Sequence, residues 1–257
     1  MLLVIDVGNT NIVLGVYDGE ELVAHWRMST SDNQTADEIG IFIHSLFDHS
    51  DIDINEIDDA IIASVVPTVM YSLTHGLRKY LKLEPIIVEA GIKTGINLLM
   101  ENPKEMGADR IVNLVAAYTL YGGPAIVIDY STATTFDVIL ENGQFITGLT
   151  APGIQVCADA LYNSAAQLPK TEIKKPESLH VKNTIGSIQA GIVYGHIGET
   201  VYIIDAIKKE FNLPNLKVVA TGGLAGIIDE TGEIFDVRDP LLTLKGLRII
   251  YEKNRKK

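Results

Sequence analysis

The sequence predicts an α/β fold made of two copies of one domain, and two stretches carry that prediction. The first is LLVIDVGNTNIVLGVYDGEEL, Leu2 to Leu22, where an apolar run reaches Asp6, breaks at Gly8 and resumes as Ile12, Val13, Leu14 and Val16. Followed by the turn signal Asp18-Gly19, it reads as a β-hairpin with a polar, glycine-containing bend. The second is AIVIDYSTATTFDVILENGQF, in which Asp129 follows Asp6 by 123 positions and the same order of apolar run, aspartate, small polar residues and apolar run returns. An ungapped alignment puts Val4-Ile5-Asp6 on Val127-Ile128-Asp129, Gly8 on Ser131, Asn9 on Thr132 and Asn11 on Thr134. A repeat of this period marks a duplicated domain rather than a solenoid. The 257 residues then divide into domains 1–115 and 116–257, the second with a long helical insertion.

Taken in order, a third strand runs from Glu21 to Met28, with Leu22, Ala24 and Trp26 alternating against Val23, His25 and Arg27. After the loop Ser29–Asn33, Thr35-Ala36-Asp37-Glu38 reads as a helix start with acidic residues in the first turn, and Ile39, Ile43, Leu46 and Phe47 continue at helical spacing. The unbroken apolar run Ala60–Val66 predicts a strand buried on both faces. Pro67 opens a helix with Met70, Leu73, Leu77 and Leu81 on one stripe, and Pro85–Val88 is a short strand. In the second half the hairpin turns at Glu141-Asn142-Gly143, and a strand follows at Phe145–Leu149. Helices are predicted over Ile154–Ala166, Thr184–Phe211 and Leu241–Tyr251, with the strand Leu216–Thr221 between the last two. The helix from Thr184 has apolar residues on more than one stripe and interleaves Gly186, Gly191, Gly195 and Gly198, so it is expected to be buried on more than one side.

Composition narrows the function. Hydrophobic residues make up 47% of the chain, enough for two cores. A net charge of −12 and a pI near 4.9 repel a nucleic-acid backbone or an anionic membrane, so neither is the main partner. The basic cluster Lys253–Lys257 reads as a solvated tail. One cysteine, Cys157, excludes an internal disulfide and reads as a packed residue. His25, His44, His49, His75, His180 and His196 show no metal-ligand spacing. With no secretory leader at the start and no apolar run long enough to span a bilayer, a soluble cytoplasmic protein is expected.

The bends carry the chemistry. Asp6 can hold a metal, Gly8 lets backbone N–H groups approach an anion, and Asn9, Thr10 and Asn11 add donors, a set that suits a nucleotide phosphate chain; the same residues also make an ordinary tight turn. With Asp129 leading a second bend, the two are expected to face one nucleotide across a cleft. Gly107-Ala108-Asp109-Arg110 stands where a loop runs into a helix bearing Ile111, Val112, Leu114 and Val115. Arg110 can grip a substrate carboxylate and Asp109 can accept a proton from an attacking hydroxyl, although a random Asp-Arg pair is more often a surface ion pair. Thr184, after Lys182-Asn183, offers a hydroxyl or a helix N-cap, and Gly222-Gly223 permits either close backbone approach to a ligand or a plain turn.

Five segments in order, Asp-Val-Gly-Asn-Thr-Asn at 6–11, Gly-Ala-Asp-Arg-Ile at 107–111, Thr-Ala-Thr-Thr-Phe-Asp at 132–137, Lys-Asn-Thr at 182–184 and Ala-Thr-Gly-Gly-Leu-Ala at 220–225, resemble the type III pantothenate kinases. Leu-Thr-Leu-Lys-Gly-Leu at 242–247 extends the resemblance over nearly the whole chain. It implies two ribonuclease-H-like domains of the actin-like ATPase class and ATP-dependent phosphorylation of pantothenate to 4'-phosphopantothenate, the first step of coenzyme A biosynthesis. It implies Asp109 as catalytic base, and ATP contacts at Asp6, Val7, Gly8, Asn9, Thr10, Asn11, Ile12, Val13 and Thr132. Pantothenate contacts fall at Met100, Gly107, Ala108, Asp109, Arg110 and Thr184. Asp6 would face Mg2+ on ATP, and Asp129 would hold a monovalent cation, K+ or NH4+. A homodimer built around the helix from Thr184, with pantothenate near the interface, is implied as well. The chain departs from the family pattern at Ser131, Thr147 and Val181, where glycine is usual, and at Met100, where tyrosine is common. Those departures leave two alternatives open, a weakly active or non-catalytic regulatory paralogue and a kinase for another hydroxy acid.

Overall fold

Two sheets of one plan organise the chain, in a computed structural model that describes Met1 to Arg255. The first half contains β1 (Leu2–Val7), β2 (Asn11–Asp18), β3 (Glu21–Ser29), α1 (Ala36–Asp48), β4 (Asp59–Ser64), α2 (Pro67–Gly76) and β5 (Ile86–Ile87). Then come β6 (Asn97–Leu98), α3 (Ala108–Tyr121), β7 (Ala125–Tyr130), β8 (Ala133–Ile139), β9 (Gln144–Pro152) and α4 (Ile154–Ser164). The last elements are α5 (Thr184–Glu210), β10 (Lys217–Thr221), α6 (Ala225–Ile228), β11 (Val237–Arg238) and α7 (Leu242–Asn254). The chain separates into two units: residues 1–95, 101–116 and the segment from Leu242 form one, and residues 96–100 and 117–241 the other.

In the first unit the strand order is β3-β2-β1-β4-β5, with β1, β2 and β3 antiparallel and β4 and β5 parallel to β1. Leu2 to Ile5 are all buried, as a central strand requires, whereas β3 alternates exposed and half-buried residues as a strand with one wet face should. On one side of the sheet, Leu3, Ile5 and Leu14 share a core with Ile39, Ile43 and Phe47 of α1 and Val69 and Leu73 of α2. Each of these side chains contributes roughly 1.5–3 kcal/mol by leaving water. The expected start of α1 is a capping box, with Thr35 Oγ1 accepting from Glu38 N–H at 3.2 Å and Glu38 accepting from Thr35 N–H at 2.8 Å.

Two expectations change here. The stripe Met70–Leu81 is not one α-helix: α2 ends at Gly76 and a π-turn, Leu77–Leu81, follows. The wider turn seats the Tyr80 ring against α1, where a Cβ on Gly40 would lie 2.2 Å from it. The final helix, expected in domain 116–257, belongs to the first unit. It covers the other side of that sheet. Leu244 fills the space left by Gly15, Gly246 lies against the Val112 carbonyl of α3, and the Tyr251 hydroxyl donates to Asp59. Of the basic tail, Lys256 and Lys257 lie outside the described residues.

The second unit repeats the plan as β9-β8-β7-β10-β11, with β6 added parallel to β9 at the edge. β1 and β7 have the same burial pattern, and Asp6 and Asp129 are each the fifth residue of the strand. Asp6 lies beside Val13 and Ala63, and Asp129 beside Thr135 and Thr221. The ungapped alignment fails just beyond the aspartates: Val7 pairs with Ile12 but Tyr130 with Thr134, so the second bend is one residue shorter and Asn11 corresponds to Ala133, not Thr134. Ile126, Ile128 and Phe136 pack with Ile188, Ile192, Ile204 and Ile207 of α5 in the second core. Among the described residues no helix is long and apolar enough to cross a membrane.

Candidate active site

The first bend, Gly8-Asn9-Thr10, is exposed at its tip and tied at its base. Gly8 N–H donates to Asn11 C=O at 3.0 Å, and Thr30 N–H donates to Thr10 C=O at 3.0 Å. Val7 and Ile12 are fully buried, so of the expected ATP contacts these two have only backbone to offer. Gly8 does not adopt a left-handed conformation; its value is room, since a Cβ would stand 3.2 Å from the Asn11 carbonyl oxygen.

Gly107-Ala108 leads the chain into α3, and Asp109 is the second residue of the helix. The Asp109 Oδ1 accepts from Arg110 N–H at 2.7 Å. Its carboxylate lies over Gly107, where a Cβ would fall 2.5 Å from Oδ1 and 3.3 Å from Val65 Cγ1. Val65 in turn donates its N–H to Val7 C=O at 3.0 Å. A short path within the first unit, Val7 to Val65 to Gly107 to Asp109, therefore ties the strand that carries the bend to the candidate base. Burial pushes the Asp109 carboxyl up from its ordinary value, opposed by the Arg110 N–H and the Arg110 guanidinium charge. A carboxylate so placed is a stronger base than an exposed one. In the sequence Val65 is only the end of an apolar run, and nothing local marks its contact with the Gly107 turn.

In the second unit Asp129 is half-buried and Thr132 exposed. Ser131 N–H and Oγ both donate to Ala133 C=O, at 3.1 and 3.3 Å. Ser131 has no left-handed backbone; among the described non-glycine residues Lys82 and Asn212 do. Two glycines take the crowding instead. A Cβ on Gly153 would lie 2.3 Å from the Thr132 carbonyl oxygen, and one on Gly222, at φ +90°, would lie 2.5 Å from that of Tyr130. Gly222 thus lets the turn after β10 cross the Tyr130 backbone, while Gly223 faces open space. Gly153 has no signature in the sequence beyond preceding a helix.

The cap of α5 is Asn183, whose side chain accepts from Gly186 N–H at 2.7 Å; Thr184 is the first helical residue and exposed. Beside it an open hollow of about 620 Å3 is lined by Leu168, Val181, Lys182, Asn183, Thr184, Ser187 and Ile188. Met100 is half-buried just after β6, where Leu99 N–H donates to Phe145 C=O at 3.0 Å. Cys157 is half-buried 3.8 Å from His196 Nε2, and burial pushes its thiol up.

Asp6 and Asp129 are hard oxygen donors set at strand ends, a chemistry that fits Mg2+ and a monovalent cation. Among the described residues no three His, Cys, Asp or Glu side chains are grouped to hold an ion. A divalent ion held by the Asp6 carboxylate would take its other ligands from phosphate oxygens and water, the arrangement Mg2+ favours in phosphoryl-transfer sites.

The doubled five-strand plan, with an aspartate at the end of each central strand and a hairpin bend after it, is that of the actin-like ATPases. Solved structures agree at the level of fold. A Campylobacter jejuni protein provisionally named a Baf family transcriptional activator superposes with a TM-score of 0.60 at 18% identity, covering 98% of each chain. The activator of 2-hydroxyisocaproyl-CoA dehydratase from Clostridium difficile, with bound ADPNP, superposes with a TM-score of 0.54 at 13% identity, covering 100% of this chain and 98% of that one. The family model for type III pantothenate kinase matches residues 2–206. An Agathobacter rectalis type III pantothenate kinase is 53% identical over 257 residues, covering 100% of this chain and 99% of the relative. The chain belongs to the type III pantothenate kinase family.

Proposed function

We propose that this chain transfers a phosphoryl group from ATP to the primary hydroxyl of pantothenate, in the cytoplasm, as the entry step to coenzyme A. The observation that carries the reading is the placement of Asp109, a half-buried carboxylate held over Gly107 and followed at once by Arg110, with desolvation pushing its carboxyl up from the ordinary value. In this assignment Asp109 accepts the proton of the attacking hydroxyl, Arg110 grips the carboxylate, and the Gly8–Asn11 backbone with Asp6 and Thr132 binds the phosphates. Mg2+ at Asp6 and K+ or NH4+ at Asp129 would supply positive charge to the phosphate oxygens. The hollow at Thr184 has apolar walls with a cation, an amide and hydroxyls, matching an acid with a branched hydrocarbon middle. ADP release measured in potassium buffer with Mg-ATP is expected to rise on adding pantothenate. Stimulation by another hydroxy acid instead would reassign the acceptor, and no stimulation by any would favour the regulatory paralogue that Met100, Ser131, Thr147 and Val181 suggest.

We also infer a two-fold homodimer through α5. Support comes from Gly191, Gly195 and Gly198, which share a helix face with Tyr202. A Cβ on any of the three glycines would meet nothing within 4 Å, and Tyr202 is 74% exposed. Val193, on the same helix, is fully buried within the chain itself, so Gly195→Glu is the sharper probe. Light scattering is expected to give twice 28.0 kDa for the parent and a monomer for the variant. A fully active 28.0 kDa parent would overturn the dimer.

A further inference from the structure

The structure assigns Thr30 a positioning role: its hydroxyl sets the orientation of the first bend so that backbone N–H groups are presented to the nucleotide phosphates. Thr30 Oγ1 donates to Gly8 C=O at 2.6 Å, while its N–H donates to Thr10 C=O at 3.0 Å. One residue thus holds carbonyls on both sides of Asn9. The Gly8–Asn9 peptide is trans, and in a planar trans peptide the C=O and N–H point in opposite directions. Fixing the Gly8 oxygen toward Thr30 therefore turns the Asn9 N–H away from it, and the Thr10 bond does the same for the Asn11 N–H. With its oxygen drawn toward the Thr30 hydroxyl, the Gly8 carbonyl is turned away from the triphosphate, and the N–H of the same peptide, that of Asn9, is left to face it.

Thr30 is itself well placed to hold its position. It follows the last residue of β3, and two residues on, Asp32 accepts from Thr68 Oγ1 at the start of α2 at 2.7 Å. The hydroxyl is therefore delivered from ordered backbone on either side. Gly8 does not need a left-handed conformation, so the bend's shape rests on hydrogen bonds rather than on a glycine-only dihedral.

The inference rests on reading the first bend as the phosphate site, so the test includes a control for that reading. Thr30→Val keeps the shape and the bond from N–H to Thr10 but removes the hydroxyl; Thr30→Ser keeps the hydroxyl. With ATP and pantothenate varied separately, Thr30→Val is expected to lower kcat/KM for ATP by roughly ten- to a hundredfold, the scale of a lost supporting hydrogen bond, and to leave KM for pantothenate within about twofold. Thr30→Ser is expected to stay close to the parent. Equal damage from both variants, equal effects on both substrates, or a lower melting temperature with unchanged ATP kinetics would overturn the positioning role. Asp6→Asn supplies the control: if it disturbs ATP kinetics while Thr30→Val does not, only the role of Thr30 falls. If neither does, the phosphate-site reading falls with it.

Discussion

The two hairpin bends descend from one plan and are held in opposite ways. The first, Gly8-Asn9-Thr10, is anchored from outside by hydrogen bonds from Thr30, with space around its tip. The second, Ser131-Thr132, is one residue shorter and has the Gly153 backbone pressed against it, with Gly222 pressed against Tyr130 just before it. The aspartates before them are unaffected, because sheet register fixes their place before either bend begins. Duplication thus preserved the strand-end carboxylates and let the turns diverge. The first is vulnerable to losing a hydroxyl, the second to gaining a methyl group.

The largest difference to break is that the first unit alone contains a candidate base. Asp109→Asn is expected to lower kcat by roughly 10²- to 10⁴-fold while leaving pantothenate affinity nearly intact. Because burial raises the folded-state pKa of Asp109, its contribution to stability is complete below the unfolded pKa and is lost as pH rises through the folded one. At neutral pH the charged side chain is therefore a cost, and the asparagine variant is expected to melt higher as it loses activity. Unchanged kcat would remove Asp109 from the chemistry.

Next in size is the contrast between the two aspartates. Asp6→Asn is expected to raise the Mg2+ concentration needed for half-maximal rate by about ten- to a hundredfold, and Asp129→Asn to abolish any preference for K+ or NH4+ over Na+ at constant ionic strength. If both variants changed both dependences alike, the division of ions between the bends would be wrong. The smallest effect concerns the turns. Gly222→Ala forces a Cβ into the Tyr130 backbone at a left-handed φ and is expected to cost about 1–3 kcal/mol, a fall of several degrees in melting temperature. Gly8→Ala should cost less stability, since the Asn11 oxygen at 3.2 Å needs to move only slightly. Equal losses would mean that the two bends are packed alike after all.

The features legible in the sequence were those with a local cause. The hairpins, the Thr35–Glu38 capping box and the helix opened by Pro67 follow from periodicity and turn chemistry within a few residues. The two-residue strands β6 and β11 are too short to show any period. The π-turn at Leu77–Leu81 answers to Tyr80 meeting Gly40, a contact between distant residues. The same holds at the site. Aspartates and glycines announce themselves, but Thr30, Val65 and Gly153 act by touching backbone that is remote in sequence, and Asn183 rather than Thr184 turned out to cap α5.

The placement of α7 has a consequence for how the protein is made. The first sheet is complete in sequence once Ile87 has been synthesised, yet one of its faces is covered by Leu244 and its neighbours, some 160 residues later. At 5–20 residues per second a ribosome needs roughly ten to thirty seconds to supply them. Through that interval the Val4 and Gly15 side of the nascent sheet waits uncovered while the whole second unit emerges. A stalled or truncated product ending before Leu242 would therefore carry its exposed apolar surface on the half synthesised first, and it is that half which chaperones would be called on to shield.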